Sequence, residues 1–184
     1  GFRLACWHPR PAASDRADAK KLHQGDGGHR RSAPRELPCM QFVSEWATAD
    51  RRRLVVLNEA VTQVSVRHRQ RFPWQTEAGG ILLGRRRGNH FEVVEATEPT
   101  HRDRRLTYLW EREAFGHAQA ATRAWKLAAG TVDYVGEWHT HPERSPIPAS
   151  LDRREWHALA LDRPTVLLIV IVVGTSELHI ELIS

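Results

Sequence analysis

Cysteine is nearly missing from this chain. There are two in 184 residues, Cys6 and Cys39. They form no Cys-x-x-Cys pair and imply no disulfide framework. The Pro-Cys-x-x-Cys element that a zinc nucleobase deaminase needs is absent too. Long apolar runs are also lacking. The longest, Val166 to Val173, has eight residues, against about 20 for a membrane helix. No apolar run follows the first charges, so no secretory signal is expected. The expectation is a soluble, cytoplasmic protein without a membrane partner. A domain-wide excess of one charge is missing as well. The formal charge is +5, but residues 1–39 hold eight Lys/Arg against four Asp/Glu. The remaining nineteen and eighteen nearly cancel, so no nucleic-acid footprint covers the domain.

What is present divides in two. Residues 1–39 are rich in Arg, Pro, Gly, His and Asp and read as a disordered basic tail. Domain-like sequence begins at Met40, the only methionine. Two readings of the tail stand: an over-extended frame or expression remnant before a start at Met40, or a functional basic segment. Residues 40–184 suit one domain, and 41% hydrophobic content suffices for a core.

Within that domain, Leu54–Leu57 suggests a strand. Asn58 can then cap a helix with Ala60, Val61, Val64 and His68 on one side, ended by Pro73. Glu77 to Gly84 reads as a buried strand bounded by glycines. Arg85, Arg86 and Arg87 are expected at a hairpin tip, followed by the alternating strand Phe91–Ala96. Pro99 to Tyr108 reads as a polar loop. Glu111 to Ala128 has a helical pattern with Ala114, Phe115, Ala118, Ala121, Trp125 and Ala128 on one face, closed by Gly130. Val132 to His139 is the next strand, and Asp152 to Ala160 a helix with Ser150 as candidate N-cap and Trp156 and Leu159 inward. Val166–Val173 is too β-branched for a helix and reads as a doubly buried strand. Gly174 to Ser176 turns into a final edge strand, Leu178–Ile183.

The chemistry concentrates in Gly136-Glu-Trp-His-Thr-His-Pro142, with ten residues between His141 and Asp152. His139 and His141 fall on one face of a strand because side chains alternate, and Trp138, just before them, points the opposite way, into the core. Two histidines and one aspartate leave a fourth position open, the ligand count of a catalytic zinc site. His101, His117, His157 and His179 read as surface or hydrogen-bonded residues.

The His-x-His-Pro…Asp pattern resembles the signature of JAMM (MPN+) metalloproteases: His-x-His, seven residues, Ser, two residues, Asp. The resemblance covers roughly Leu54 to Ser184, and the wording around the histidines is most similar to the prokaryotic JAB branch. It implies an α/β, cytidine-deaminase-like mixed β-sheet flanked by helices, and one Zn2+ held by His139, His141 and Asp152. It implies that Glu77, before Gly-Gly-Ile-Leu-Leu-Gly, is the general acid/base, with Glu137 as its rival. It further implies an isopeptidase acting on the C-terminal tail of a ubiquitin-like protein or its conjugates, with E1/E2-like enzymes of the same operon as further partners and antiphage defence as the setting.

One departure is visible. The signature serine falls at Ala149, and Ser150 stands one place late. Three arrangements are compatible with that: Ser150 reaches the site through a bulge, a backbone amide substitutes, or the protein is a weakened or inactive binding scaffold of the same fold.

Overall fold

The computed structural model describes residues 42–163 and 166–184. The tail expected at residues 1–39 and the boundary at Met40 lie outside the described residues. The elements are β1 (Phe42–Ala47), β2 (Leu54–Asn58), α1 (Glu59–His68), β3 (Gly79–Arg87), β4 (His90–Ala96), β5 (Arg104–Leu106), β6 (Leu109–Glu111), α2 (Ala114–Leu127), β7 (Asp133–Thr140), α3 (Ser150–Asp162), β8 (Leu168–Val173) and β9 (Leu178–Ile183). Seven strands form one mixed sheet in the order β1-β2-β4-β3-β7-β8-β9, and β5-β6 is a separate hairpin. The pairs β2–β4 and β7–β8 are parallel. The mixed α/β sheet flanked by helices is the architecture that the resemblance implies.

The sheet has two dressed faces. Leu82, Trp138, Ile169, Ile171 and Val173 point to the side where α1 contributes Val61 and Val64. Ile81, Leu83 and Val132 point to the other side, under Ala121 and Ala124 of α2 and its C-cap Ala128. Val170 and Val172 meet Trp156 of α3 on that same side. Every side chain of β8 is buried, which explains its unbroken apolar run: a strand covered on both faces has no polar alternation. Asn58 caps α1 as expected, accepting from the Val61 amide at 3.2 Å.

Four expectations need correction. The three arginines are not a tip: β3 runs through Arg87 and turns at Gly88. Arg85 and Arg87 are instead neutralised by buried Glu92, at 3.4 and 3.0 Å. The polar segment before Tyr108 is not all loop, because it contains β5, paired with β6. Helix α2 begins at Ala114 behind the N-cap Glu113, and its inward face differs from the expected one. Phe115 and Trp125 are exposed, while His117 is buried. A polar side chain occupies that inward position because Asp103 and Thr97 satisfy both its ring nitrogens. Finally, Ser150 does not cap α3. The N-cap is Ala149, and Ser150 is the first helical residue. Among the described residues no helix is long and apolar enough to cross a membrane.

Candidate metal centre

Strand β7 ends at Thr140, and its last turns of the pleat carry Glu137, His139 and, just beyond, His141 toward the α2/α3 side of the sheet. Trp138 faces the opposite core, 1% exposed, and its indole N–H donates to the Thr97 carbonyl at 3.0 Å. Helix α3 starts close by and delivers Asp152 in its first turn. His139 Nε2 and His141 Nε2 lie 3.1 Å apart. Asp152 Oδ1 is 3.4 Å from His139 Nε2, and Asp152 Oδ2 is 3.4 Å from His141 Nε2.

These distances test whether a metal fits. A tetrahedral zinc with ligands at about 2.0–2.1 Å has edges of about 3.3 Å between donor atoms. The three donors already stand on such a face, within 4.8 Å of one another by every pairing. The two buried imidazole nitrogens face each other, so both can offer a lone pair to a cation between them. The residues fit a metal ion with one open position.

Glu77 is 5% exposed, and its Oε1 lies 4.0 Å from His141 Nε2. Burial pushes its carboxyl up to about 7, helped by the charges of Asp152, Glu143 and Glu155 and opposed by His141. Asp152 behaves oppositely. Burial would raise it, but the hydrogen bonds to His139 and His141, and the Ala149 amide, hold it far below the usual carboxylate range. One carboxylate is thus shaped to stay charged and ligate, the other to exchange a proton near neutrality.

The rival carboxylate, Glu137, is occupied elsewhere. Its Oε1 pairs with Arg112 Nη2 at 2.8 Å. It lines the same cleft but is engaged by the Arg112 guanidinium.

Sequence reasoning missed three neighbours. Glu143 Oε2 sits 3.3 Å from His141 Nδ1, where a carboxylate fixes the tautomer that leaves Nε2 free to ligate. Trp110 stacks over His139, with ring planes 13° apart and centroids 6.4 Å apart. Gly79 makes room for that indole: a Cβ there would run into its ring. Thr140, between the two histidines, is wholly buried and accepts from the Ala78 amide at 3.0 Å. Glu143 lies two residues past His141 and could have been suspected from spacing; Trp110 could not, because the hairpin that carries it was not foreseen.

Ala149 and Leu151 line the cleft, whereas Ser150 is exposed and does not. The Ala149 amide donates to Asp152 Oδ2 at 2.6 Å, so the helix start itself orients the carboxylate. The remaining histidines behave as expected. His101 and His157 are exposed, and His179 is bonded to Glu181 at 3.1 Å.

Comparison with known proteins identifies the chain's relatives. A family model described as prokaryotic homologs of the JAB domain matches residues 58–181. A protein of Pseudomonas aeruginosa named CD-NTase/cGAS isopeptidase is 42% identical over 148 residues, covering 78% of this chain and 92% of that one. Proteins of the same name from Vibrio cholerae and Escherichia coli are 34% and 35% identical over 118 residues, each covering 64% of this chain and 75% of theirs. With the family model matching residues 58–181 and a relative this similar along most of its length, the chain belongs to the prokaryotic JAB-domain family.

Proposed function

We propose that this chain is a zinc-dependent isopeptidase that cleaves the amide between the C-terminus of a ubiquitin-like protein and a lysine amine of its target. The names of the relatives point to a CD-NTase as that target. The setting is then bacterial antiphage defence, with E1/E2-like enzymes forming the bond that this one breaks. The observation that carries the reading is the converging set of His139 Nε2, His141 Nε2 and Asp152 at 3.1 to 3.4 Å, with the proton-exchanging Glu77 at 4.0 Å.

When bound, the ion would lower the pKa of a water molecule and polarise the scissile carbonyl. The protein does the rest. Glu77 accepts a proton from the attacking water and delivers it to the leaving amine. A water-oxygen-to-carbon bond forms, the carbon–nitrogen bond breaks, and the lysine amine leaves neutral. Trp110 and Trp156 enclose His139 on two sides and keep the local dielectric low, which strengthens these interactions. The extended tail of a ubiquitin-like protein would lie along the β5–β6 hairpin, where strand addition supplies sequence-tolerant binding.

The amides of Leu151 and Asp152, in the first turn of α3, have no partner within the helix. With Ala149 at the N-cap, no side chain among the described residues caps them. They are the available donors for the developing oxyanion in place of the missing serine hydroxyl. A binding scaffold of the same fold is the second reading, and Ala149 is the observation that favours it.

The test is cleavage of a ubiquitin-like fusion by metal-loaded protein, with chelator and with His139→Ala. Cleavage should stop with chelator, return with zinc, and be absent in the variant together with the bound metal. Cleavage that survives chelation would exclude the zinc mechanism, and binding of the fusion without cleavage would favour the scaffold.

A further inference from the structure

Glu77 precedes β3, so it has no ladder partner of its own. Contacts from two directions hold its backbone. From the β5–β6 hairpin, the Leu106 carbonyl accepts the Glu77 amide at 2.8 Å, and Arg105 Nε donates to the Glu77 carbonyl at 2.6 Å. From β7, Thr140 Oγ1 accepts the Ala78 amide at 3.0 Å, and the Thr140 amide donates to the Ala78 carbonyl at 2.8 Å.

Gln70 joins the two sides. Its Oε1 accepts the Thr140 hydroxyl at 3.0 Å. Its Nε2 donates to the Thr107 carbonyl at 2.9 Å and to the Gln75 carbonyl at 3.0 Å. Gln70 is 1% exposed and Thr140 0%. The contacts close a ring that runs from Glu77 through Ala78, Thr140, Gln70, Thr107 and Leu106 back to Glu77. Burying an amide is costly unless its groups are paired. Here both amide hydrogens and the oxygen are used. An apolar side chain would fill the space without that cost, but would leave the Thr140 hydroxyl and the Thr107 carbonyl unpaired.

We propose that Gln70 is a positioning residue: it closes a buried ring of hydrogen bonds that holds Glu77 beside His141 and ties its placement to the β5–β6 hairpin. The inference rests on the reading of Glu77 as the proton carrier. It adds a coupling, because a ligand that grips the hairpin also steadies the residue that moves the proton.

The experiment compares wild type, Gln70→Leu and Gln70→Glu as full-length, metal-loaded chains, by hydrogen exchange and by cleavage kinetics. Gln70→Glu keeps the volume and the acceptor for Thr140 but loses both donors, so it stands in if Gln70→Leu does not fold. Exchange should rise about tenfold or more in peptides covering 75–80 and 104–108, with β8 unchanged. Metal stoichiometry should stay the same. A misplacement of the proton carrier by about 1 Å predicts a fall in kcat of up to about 10²-fold with KM little changed. In a Glu77→Gln background, Gln70→Leu should cost no further kcat. Unchanged exchange at 75–80, or a rise shared equally by β8, overturns the proposal. If Glu77→Gln itself keeps full turnover, the reading of Glu77 fails, and the exchange data still decide whether the ring holds that segment.

Discussion

The substitution Ala149→Ser separates two roles that one hydroxyl would play. Position 149 is the N-cap of α3, with extended backbone angles of φ −68° and ψ 165°. Asp152 already accepts the Ala149 amide, which is half of a capping box. An introduced hydroxyl can accept from the Leu151 or Asp152 amide and complete the other half. Replacing alanine by serine at an N-cap is worth about 1 kcal/mol, or about 3 °C in melting temperature for a domain of this size. The same oxygen keeps its own hydrogen, which it can donate into the cleft that Ala149 lines. One oxyanion donor is worth about 10²–10³ in rate, less whatever the first-turn amides already supply, so a gain of up to about 10²-fold is expected. The gain belongs to the chemical step, because the charge it stabilises exists only in the transition state. Melting should be measured in chelator, so that metal binding does not add to the cap. Turnover should be measured under single-turnover conditions with zinc. A rise in melting temperature without a gain in turnover would show that backbone amides already fill the oxyanion role. No rise in either would refute the cap geometry and the argument built on it. In a Glu77→Gln background the introduced serine should rescue little, since both groups serve one step.

Three other perturbations have defined outcomes. Glu77→Gln should keep zinc and lose most turnover, because an amide cannot accept the water's proton. Glu137→Gln should change turnover far less, since Glu137 is paired with Arg112; the reverse ranking in single-turnover assays would make Glu137 the base. Asp103 is buried, which alone would raise its pKa. Its bonds from the Glu113 and Thr100 amides and from His117 lower it below the ordinary value. A depressed carboxylate contributes stability above its unfolded pKa of about 3.9, lost as pH falls through the folded value. Asp103→Asn should therefore lower the melting temperature at pH 7 and flatten its fall below about pH 4. A melting profile parallel to wild type would remove Asp103 from the acid response.

The convergence of His139 and His141 was legible in the sequence because a strand alternates and His-x-His states a face; Glu77 was suggested only by the family resemblance, and the structure brings it within 4.0 Å of His141. The doubly buried β8 announced itself by an unbroken apolar run. The β5–β6 hairpin did not, because its strands have three residues each and its arginines carry no alternation. It is held by contacts distant in sequence, such as Gln70 to Thr107. The face of α2 was misread for a related reason. His117 is inward only because Asp103 and Thr97 are there to pair with it, and no helical wheel contains that information.

The placement of Glu77 on the ligand face depends on one irregularity, and this gives the last prediction. Near the site β3 and β7 pair antiparallel as Gly79↔His139 and Gly80↔Trp138, through Leu82↔Gly136; beyond it the partners become Leu83↔Tyr134. One extra residue of β7 is therefore accommodated at Val135–Gly136, as a bulge. Its effect is visible in the packing. Tyr134 lies with the α2 cluster and Val135 with the opposite core, yet Trp138, not Glu137, shares the side of Val135. Continuing the inner register outward sets Glu77 opposite His141, on the same face. Without the bulge Glu77 would stand opposite Thr140 and point away from the imidazoles, because a one-residue slip exchanges the faces. Gly136 makes the bulge possible. Its φ is +155°, and a Cβ there would collide with the Ile169 carbonyl of β8. Gly136→Ala should lower stability by about 2 kcal/mol or more, from backbone strain and overpacking together. It should lower turnover more than zinc affinity, since His139 and His141 keep their mutual spacing on β7 whichever way the slip is resolved. Melting, metal titration and single-turnover cleavage of this variant check all three statements. A variant that melts with wild type and cleaves at the same rate would mean that the bulge does not set the register, and that Glu77 is held by its hairpin and Thr140 contacts alone.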